Sequence, residues 1–218
     1  MRGIGPVLLG TALTGVVAWA GFGSRSQTFG PFPFRGDTAD QVVALSFDDG
    51  PNEPHTSQLL DTLDRQDVRA TFFQVGLCAE RFPAVTRRVV ESGHVLGNHS
   101  YRHAMTGYLS DPRQRAEIDR AQHVLHRIVG VAPALYRPPW LCHWPWVLRS
   151  VAAHGLQAVS GTFVHPLEIV QPPPAAIAAR GGQRANSVAA VGPLIDRLRD
   201  AGYRFTTVDR LLGVPAYL

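Results

Sequence analysis

From residue 41 onward, short apolar β-rich runs alternate with stretches whose apolar residues recur every three or four positions. Val42-Val43-Ala44-Leu45-Ser46-Phe47 reads as a strand and Ala70-Thr71-Phe72-Phe73-Gln74-Val75 as the next. Between them Thr56 is placed to cap a helix that runs to Gln66, with Leu59, Leu60 and Leu63 on one face. A helix from about Pro83 to Glu91 stops at Ser92-Gly93 and leads into a strand His94-Val95-Leu96. Asp111-Pro112 opens the most regular helix, with Ile118, Ala121, Leu125 and Ile128 on its apolar face, His123 and His126 on its wet faces, and Gly130 at its end. A strand Ala134–Tyr136, a helix around Trp144–Ala153, a strand Leu156–Ser160, a helix Val188–Asp200 and a strand Tyr203–Thr206 continue the alternation. Repeated β then α predicts an α/β fold with a parallel sheet or barrel.

The N-terminal pattern differs. After Arg2 no charge occurs until Arg25, and the apolar run Ile4–Phe22 ends near the small-x-small triplet Ala18-Trp19-Ala20. This is the composition of an export signal, cleaved after Ala20 or retained as an anchor. A Gly/Ser/Pro-containing linker, Gly23 to Pro33, is expected to follow. The expected layout is residues 1–28 as signal or anchor plus linker and 35–214 as one domain, in a protein that is secreted or held at the membrane by its N-terminal segment alone.

The 218 residues, 45% of them hydrophobic, suffice for one domain with a substantial core. The charge of +4 comes from scattered arginines without any lysine, which argues against a nucleic-acid stripe. Cys78 and Cys142 could pair in an oxidising compartment, or remain two buried thiols.

Two local patterns carry chemistry. Asp48-Asp49-Gly50-Pro51 puts adjacent carboxylates at the carboxyl end of a strand, where α/β folds build their sites. Like charges this close repel; a cation bound by one leaves the other available as a base. His99 and His103, four residues apart after another strand, are expected on one side of a helical turn. Two imidazoles and one carboxylate make an open three-ligand set suited to hydrolysis.

In this order Ser46-Phe47-Asp48-Asp49-Gly50-Pro51, His99-Ser100-x-x-His103 and Arg137-Pro138-Pro139-Trp140 resemble the first three motifs of the polysaccharide deacetylases, carbohydrate esterase family four. The resemblance spans about Arg35 to Leu212. It implies a distorted (β/α) barrel and metal-dependent removal of N- or O-acetyl groups from polysaccharides such as peptidoglycan-like or chitin-like chains. It further implies Asp48 as base and Asp49, His99 and His103 as ligands of one divalent ion, zinc first, with cobalt or another divalent ion as alternatives. Arg137 would orient Asp48, and the backbone N–H of Trp140 would help hold the oxyanion. Tyr101 and Arg102 should point away; Trp144 and Trp146 are expected in packed core or as a sugar-stacking wall.

The chain departs from the family late in the sequence. Where a fourth motif carries Asp near Trp, this chain has Gly161 to Glu168, and Glu168 is the substitute. The family's terminal Leu-His, whose imidazole protonates the leaving amine, has no counterpart, and the run Ala175–Asn186 has no strand pattern. One late strand is therefore expected to be missing, with His165 or His143 as stand-in acid. Two functions remain open: an exported deacetylase of cell-envelope or other acetylated glycans, or an impaired relative that binds metal or glycan.

Overall fold

The computed structural model describes residues 15–161 and 181–218; His165, Glu168 and the proline run Pro172-Pro173-Pro174 lie outside them. The first expected strand is two strands. β1 (Val42–Ala44) pairs in parallel with the last strand, β7 (Arg204–Thr206), whereas β2 (Ser46–Gly50) pairs with β3 (Thr71–Gln74). Leu45 is the switch: Gln41 O still accepts from Arg204, while Leu45 O already accepts from Thr71.

β2, β3, β4 (Val95–Asn98), β5 (Leu135–Tyr136) and β6 (Gln157–Ala158) form one parallel sheet in chain order. β1 and β7 form a separate two-stranded parallel sheet, and because β1 runs directly into β2 the strands follow a (β/α)-barrel path. Among the described residues no pairing joins β6 to β7, and residues 162–180, which include part of the run on which the late strand was expected to be missing, lie outside them.

Helix α1 (His55–Arg65) buries Leu59, Leu60 and Leu63 against Phe72, Val89 and Ile195. Its expected cap is corrected. Pro54 precedes the helix, Thr56 Oγ1 accepts from the Asn52 N–H at 2.8 Å, and Glu53 takes the Ser57 N–H at 3.2 Å. Helix α2 (Gly76–Arg81) was not expected; α3 (Pro83–Glu91) matches its pattern. Gly97 and Asn98, beyond the expected strand His94–Leu96, extend β4 by pairing with Phe73 and Gln74, and a Cβ at Gly97 would meet the Phe73 ring at 2.4 Å. Helix α4 (Asp111–Val129) ends where Gly130 turns left-handed at φ 77. α5 (Pro145–Ala153), α6 (Gly181–Asp200), which starts before the expected Val188, and the unexpected α7 (Val208–Leu212) complete the chain.

Residues 23–33, expected as a linker, are packed on the domain instead. Ser26 and Phe32 are fully buried, and Phe32 stacks on His143 at 4.4 Å. The apolar segment enters as a helical stretch over residues 15–22. No helix among the described residues is long and apolar enough to cross a membrane. Cys78 and Cys142 are not bonded to each other, and burial pushes the Cys142 thiol up to about 12.

Candidate metal centre

The carboxyl ends of β2, β4 and β5 meet at one pocket of about 460 Å³. β2 delivers the carboxylates. A register break between Asp48 and Gly50 and a left-handed Asp49 (φ 68) turn the adjacent side chains apart. Asp49 is buried, while Asp48 faces the pocket mouth.

The histidine loop follows β4 directly. It is not the expected helical turn: Ser100 (φ 64) and His103 (φ 54) are both left-handed. Asn98 Oδ1 takes the Ser100 N–H at 2.8 Å, and Ser100 Oγ takes the His103 N–H at 3.0 Å. From the other side, the Gly76 and Leu77 amides at the start of α2 bind the Ser100 and Tyr101 carbonyls. Tyr101 packs into the core and donates to Glu80, outside the pocket lining. Such left-handed residues cost of order 1 kcal/mol or more each, and these hydrogen bonds hold them in place.

The result brings Asp49, His99 and His103 together. Asp49 Oδ1 lies 3.0 Å from His103 Nε2 and 3.2 Å from His99 Nε2. All three side chains are buried and their ligand atoms lie within 4.8 Å of one another. Burial pushes the Asp49 carboxyl up, but hydrogen bonds from His103 and His99 outweigh it and hold the group well below the usual carboxylate range. Burial alone would lower His99, yet its bond to Asp49 and the Asp48 and Asp49 charges raise it. His99 Nδ1–H donates to the Arg137 carbonyl at 2.6 Å, which fixes the ring with its Nε2 toward Asp49 Oδ1. An oxygen and two imidazole nitrogens converging in this way fit a divalent cation.

Arg137, beyond β5, joins β2 to β6. Its Nη1 donates to Asp48 Oδ1 and to Ser46 Oγ, each at 2.8 Å, and its Nη2 donates to Ser160 O at 2.8 Å. The guanidinium lies over Phe73 at 4.1 Å. Trp140, left-handed at φ 52, lays its ring 4.4 Å from His103 and lines the pocket. Trp144 and Trp146 stack on each other at 5.6 Å outside the lining, packed against the Phe32 cluster.

His143 does not reach the pocket. It is fully buried, donates to the Leu141 carbonyl at 2.7 Å, and burial lowers its pKa despite bonds to the Leu141 and Ala20 carbonyls. That removes it as a stand-in acid. The fold also brings in residues to which the sequence assigned no role: Ser46, Ser160, Phe22 and His55. Among the described residues His55 is the one pocket-lining imidazole besides the ligands, and its buried Nδ1 has no hydrogen-bond partner.

Comparison with known proteins supplies the family. The polysaccharide deacetylase profile matches residues 35–159. A peptidoglycan-N-acetylglucosamine deacetylase of Bacillus cereus is 31% identical over 202 residues, which cover 83% of this chain and 71% of that protein. The crystal structure of the Bc1960 peptidoglycan N-acetylglucosamine deacetylase superposes with a TM-score of 0.74 at 28% identity, covering 85% of this chain and 94% of that one. The chitin deacetylase of the fungal pathogen Colletotrichum lindemuthianum gives a TM-score of 0.71 at 26% identity, over 86% and 95%. Ordered motifs, barrel path and profile agree, and the chain belongs to the polysaccharide deacetylase family.

Proposed function

We propose that this chain is an exported, metal-dependent deacetylase of acetylated glycans of the peptidoglycan or chitin type. The observation that carries the reading is the convergence of Asp49, His99 and His103 beside an Asp48 held by Arg137. Export rests on the apolar N-terminal run and its Ala18-Trp19-Ala20 triplet.

A divalent cation held by the three ligands, zinc first, would lower the pKa of a water and polarise the acetyl carbonyl. Asp48 takes the proton of the attacking water. Arg137 fixes that carboxylate's direction, since its guanidinium is itself fixed by Ser46, Ser160 and Phe73. The Trp140 N–H stabilises the oxyanion. The bond from carbonyl carbon to nitrogen or oxygen breaks, acetate departs, and the sugar amine or hydroxyl leaves with a proton. His55, in the pocket, and His165, outside the described residues, are the two groups to supply it; Glu168 takes the fourth-motif role.

Acetate release from N-acetylated oligosaccharides with added zinc or cobalt tests this reading. Release from the wild-type chain should greatly exceed that from Asp48→Asn and His103→Ala; equal release would sink the proposal. Loss on His55→Ala or on His165→Ala identifies the proton donor. The missing late Leu-His favours a second reading, a relative that binds metal and glycan without turnover. One metal per chain, glycan binding and no acetate would select it.

A further inference from the structure

The described residues end β6 in an unusual arrangement. Ser160, just beyond that strand, is 4% exposed and held on every polar atom. Its N–H donates to Pro33 O at 2.8 Å, its hydroxyl donates to Ser24 O at 2.7 Å, and its carbonyl accepts Arg137 Nη2 at 2.8 Å. Two of these three partners belong to the N-terminal stretch that composition marks as a spacer. The third is the arginine that holds Asp48.

That stretch is built as a fixed element. Gln27 closes its loop by donating to Phe32 O at 2.7 Å and accepting the Phe32 N–H at 2.8 Å. Ser26, fully buried, donates to Ala20 O at 3.1 Å, and Gly21 O takes the His143 N–H at 2.9 Å. Trp144 sits between the Phe22 and Phe29 rings, at 6.0 and 5.3 Å. Phe22, Gly23 and Ser24 then line the pocket together with Asp48, His103 and Trp140. Phe22 remains 37% exposed.

We infer that residues 20–34 are a strap that walls the glycan groove beside the end of β6 and, through Ser160, positions Arg137 against Asp48. The strap meets the chain just beyond β6, where Pro33 O and Ser24 O take the Ser160 N–H and hydroxyl. Ser160 is a positioning residue, acting on Asp48 only through Arg137. Phe22 is a substrate contact, since its partly exposed aromatic face can stack on the apolar face of a sugar ring. Processing after Ala20 would leave residues 21–34 of the strap on the mature chain. The inference rests on the glycan deacetylase reading for its ligand and concerns a segment that precedes the family match, which begins at residue 35.

The test separates the two roles and separates both from turnover. In the full zinc-loaded chain, Ser160→Ala removes one buried hydrogen bond and should lower kcat about fivefold with metal content and KM little changed. Ser160→Thr, which keeps the hydroxyl, should restore it and guards against a folding defect. Phe22→Ala should raise KM about fivefold, more than it lowers kcat. In an Asp48→Asn background, it should weaken binding of an N-acetylglucosamine oligomer by a similar factor in calorimetry. Variants within twofold of wild type in kcat, KM and that affinity overturn the inference. A chain that binds the oligomer but releases no acetate overturns the deacetylase reading instead, and leaves the strap judged on affinity. A zinc-loaded chain that binds no oligomer overturns the groove-wall role.

Discussion

His99 Nδ1 lies 2.6 Å from the backbone carbonyl of Arg137, while the side chain of the same arginine lies 2.8 Å from Asp48 Oδ1. One residue thus orients a candidate metal ligand through its backbone and the proposed base through its guanidinium. The two functions should come apart under mutation. Arg137→Lys retains the carbonyl but loses the fork that spans Ser46, Asp48 and Ser160. Charge-assisted bonds of this kind are worth about 1.5–3 kcal/mol, so turnover should fall about 10- to 100-fold with zinc content unchanged. Loss of zinc in parallel would show that the side chain supports the ligand set as well.

Metal removal should destabilise as well as inactivate. The buried Asp49, His99 and His103 are brought together only by the fold, so an ion that binds there stabilises the folded chain, by about 2.7 kcal/mol at a hundredfold excess over Kd. Chelation should therefore lower the melting temperature of the wild-type chain, and zinc should restore it. His103→Ala should respond to neither. An unchanged wild-type melting temperature on chelation would count against binding at these residues.

His94 predicts an acid-sensitive fold. It is 2% exposed, and its Nδ1 accepts the Ala70 N–H at 3.1 Å. Burial, aided by Arg69 and opposed by Asp64, pushes its pKa from 6.5 down to about 4. Between those values the unfolded chain binds more protons than the folded one, so stability rises with pH across the window and is lost as pH falls through it. The full difference is on the order of 3 kcal/mol. Denaturant melts at about pH 7 and about pH 5 should show the loss. His94→Gln, which keeps an acceptor but does not titrate, should shrink it; an equal slope in both chains would refute the assignment.

A side chain at position 97 should transmit strain to the site. A Cβ there would meet Phe73 Cδ1 at 2.4 Å and Cε1 at 2.6 Å, and Phe73 is the fully buried ring beneath the Arg137 guanidinium. Gly97→Ala should cost about 1–3 kcal/mol by overpacking and lower turnover further by moving Arg137. Thermal melts together with kcat measure both. A melting temperature equal to wild type would mean that the ring has room to shift.

Much of this was legible locally. The apolar periodicities mark most of the helices and strands, because one-sided burial must recur with the period of the element that achieves it. The ligand types and the order of the three motifs are chemical facts carried in short segments. The boundaries that failed are those set by partners far along the chain. Val42–Phe47 divides at Leu45 because β7 pairs with its first half and β3 with its second. Asn98 joins β4 through its parallel register with Gln74 and Tyr136.

By itself the sequence determined that a carboxylate pair, a histidine pair and an arginine occur at successive strand ends of an α/β chain, and that a late histidine is absent. Tertiary structure decided what those residues touch. It turned the histidine loop through left-handed residues rather than a helical turn, withdrew His143 into the core beneath Phe32, and brought His55 into the pocket. It also made Ser24 and Pro33 partners of Ser160, contacts that depend on chain folding across more than a hundred residues. Composition could mark residues 23–33 only as loop, because Gly, Ser and Pro record an irregular backbone. Whether such a backbone is solvated or buried is decided by the surfaces that meet it.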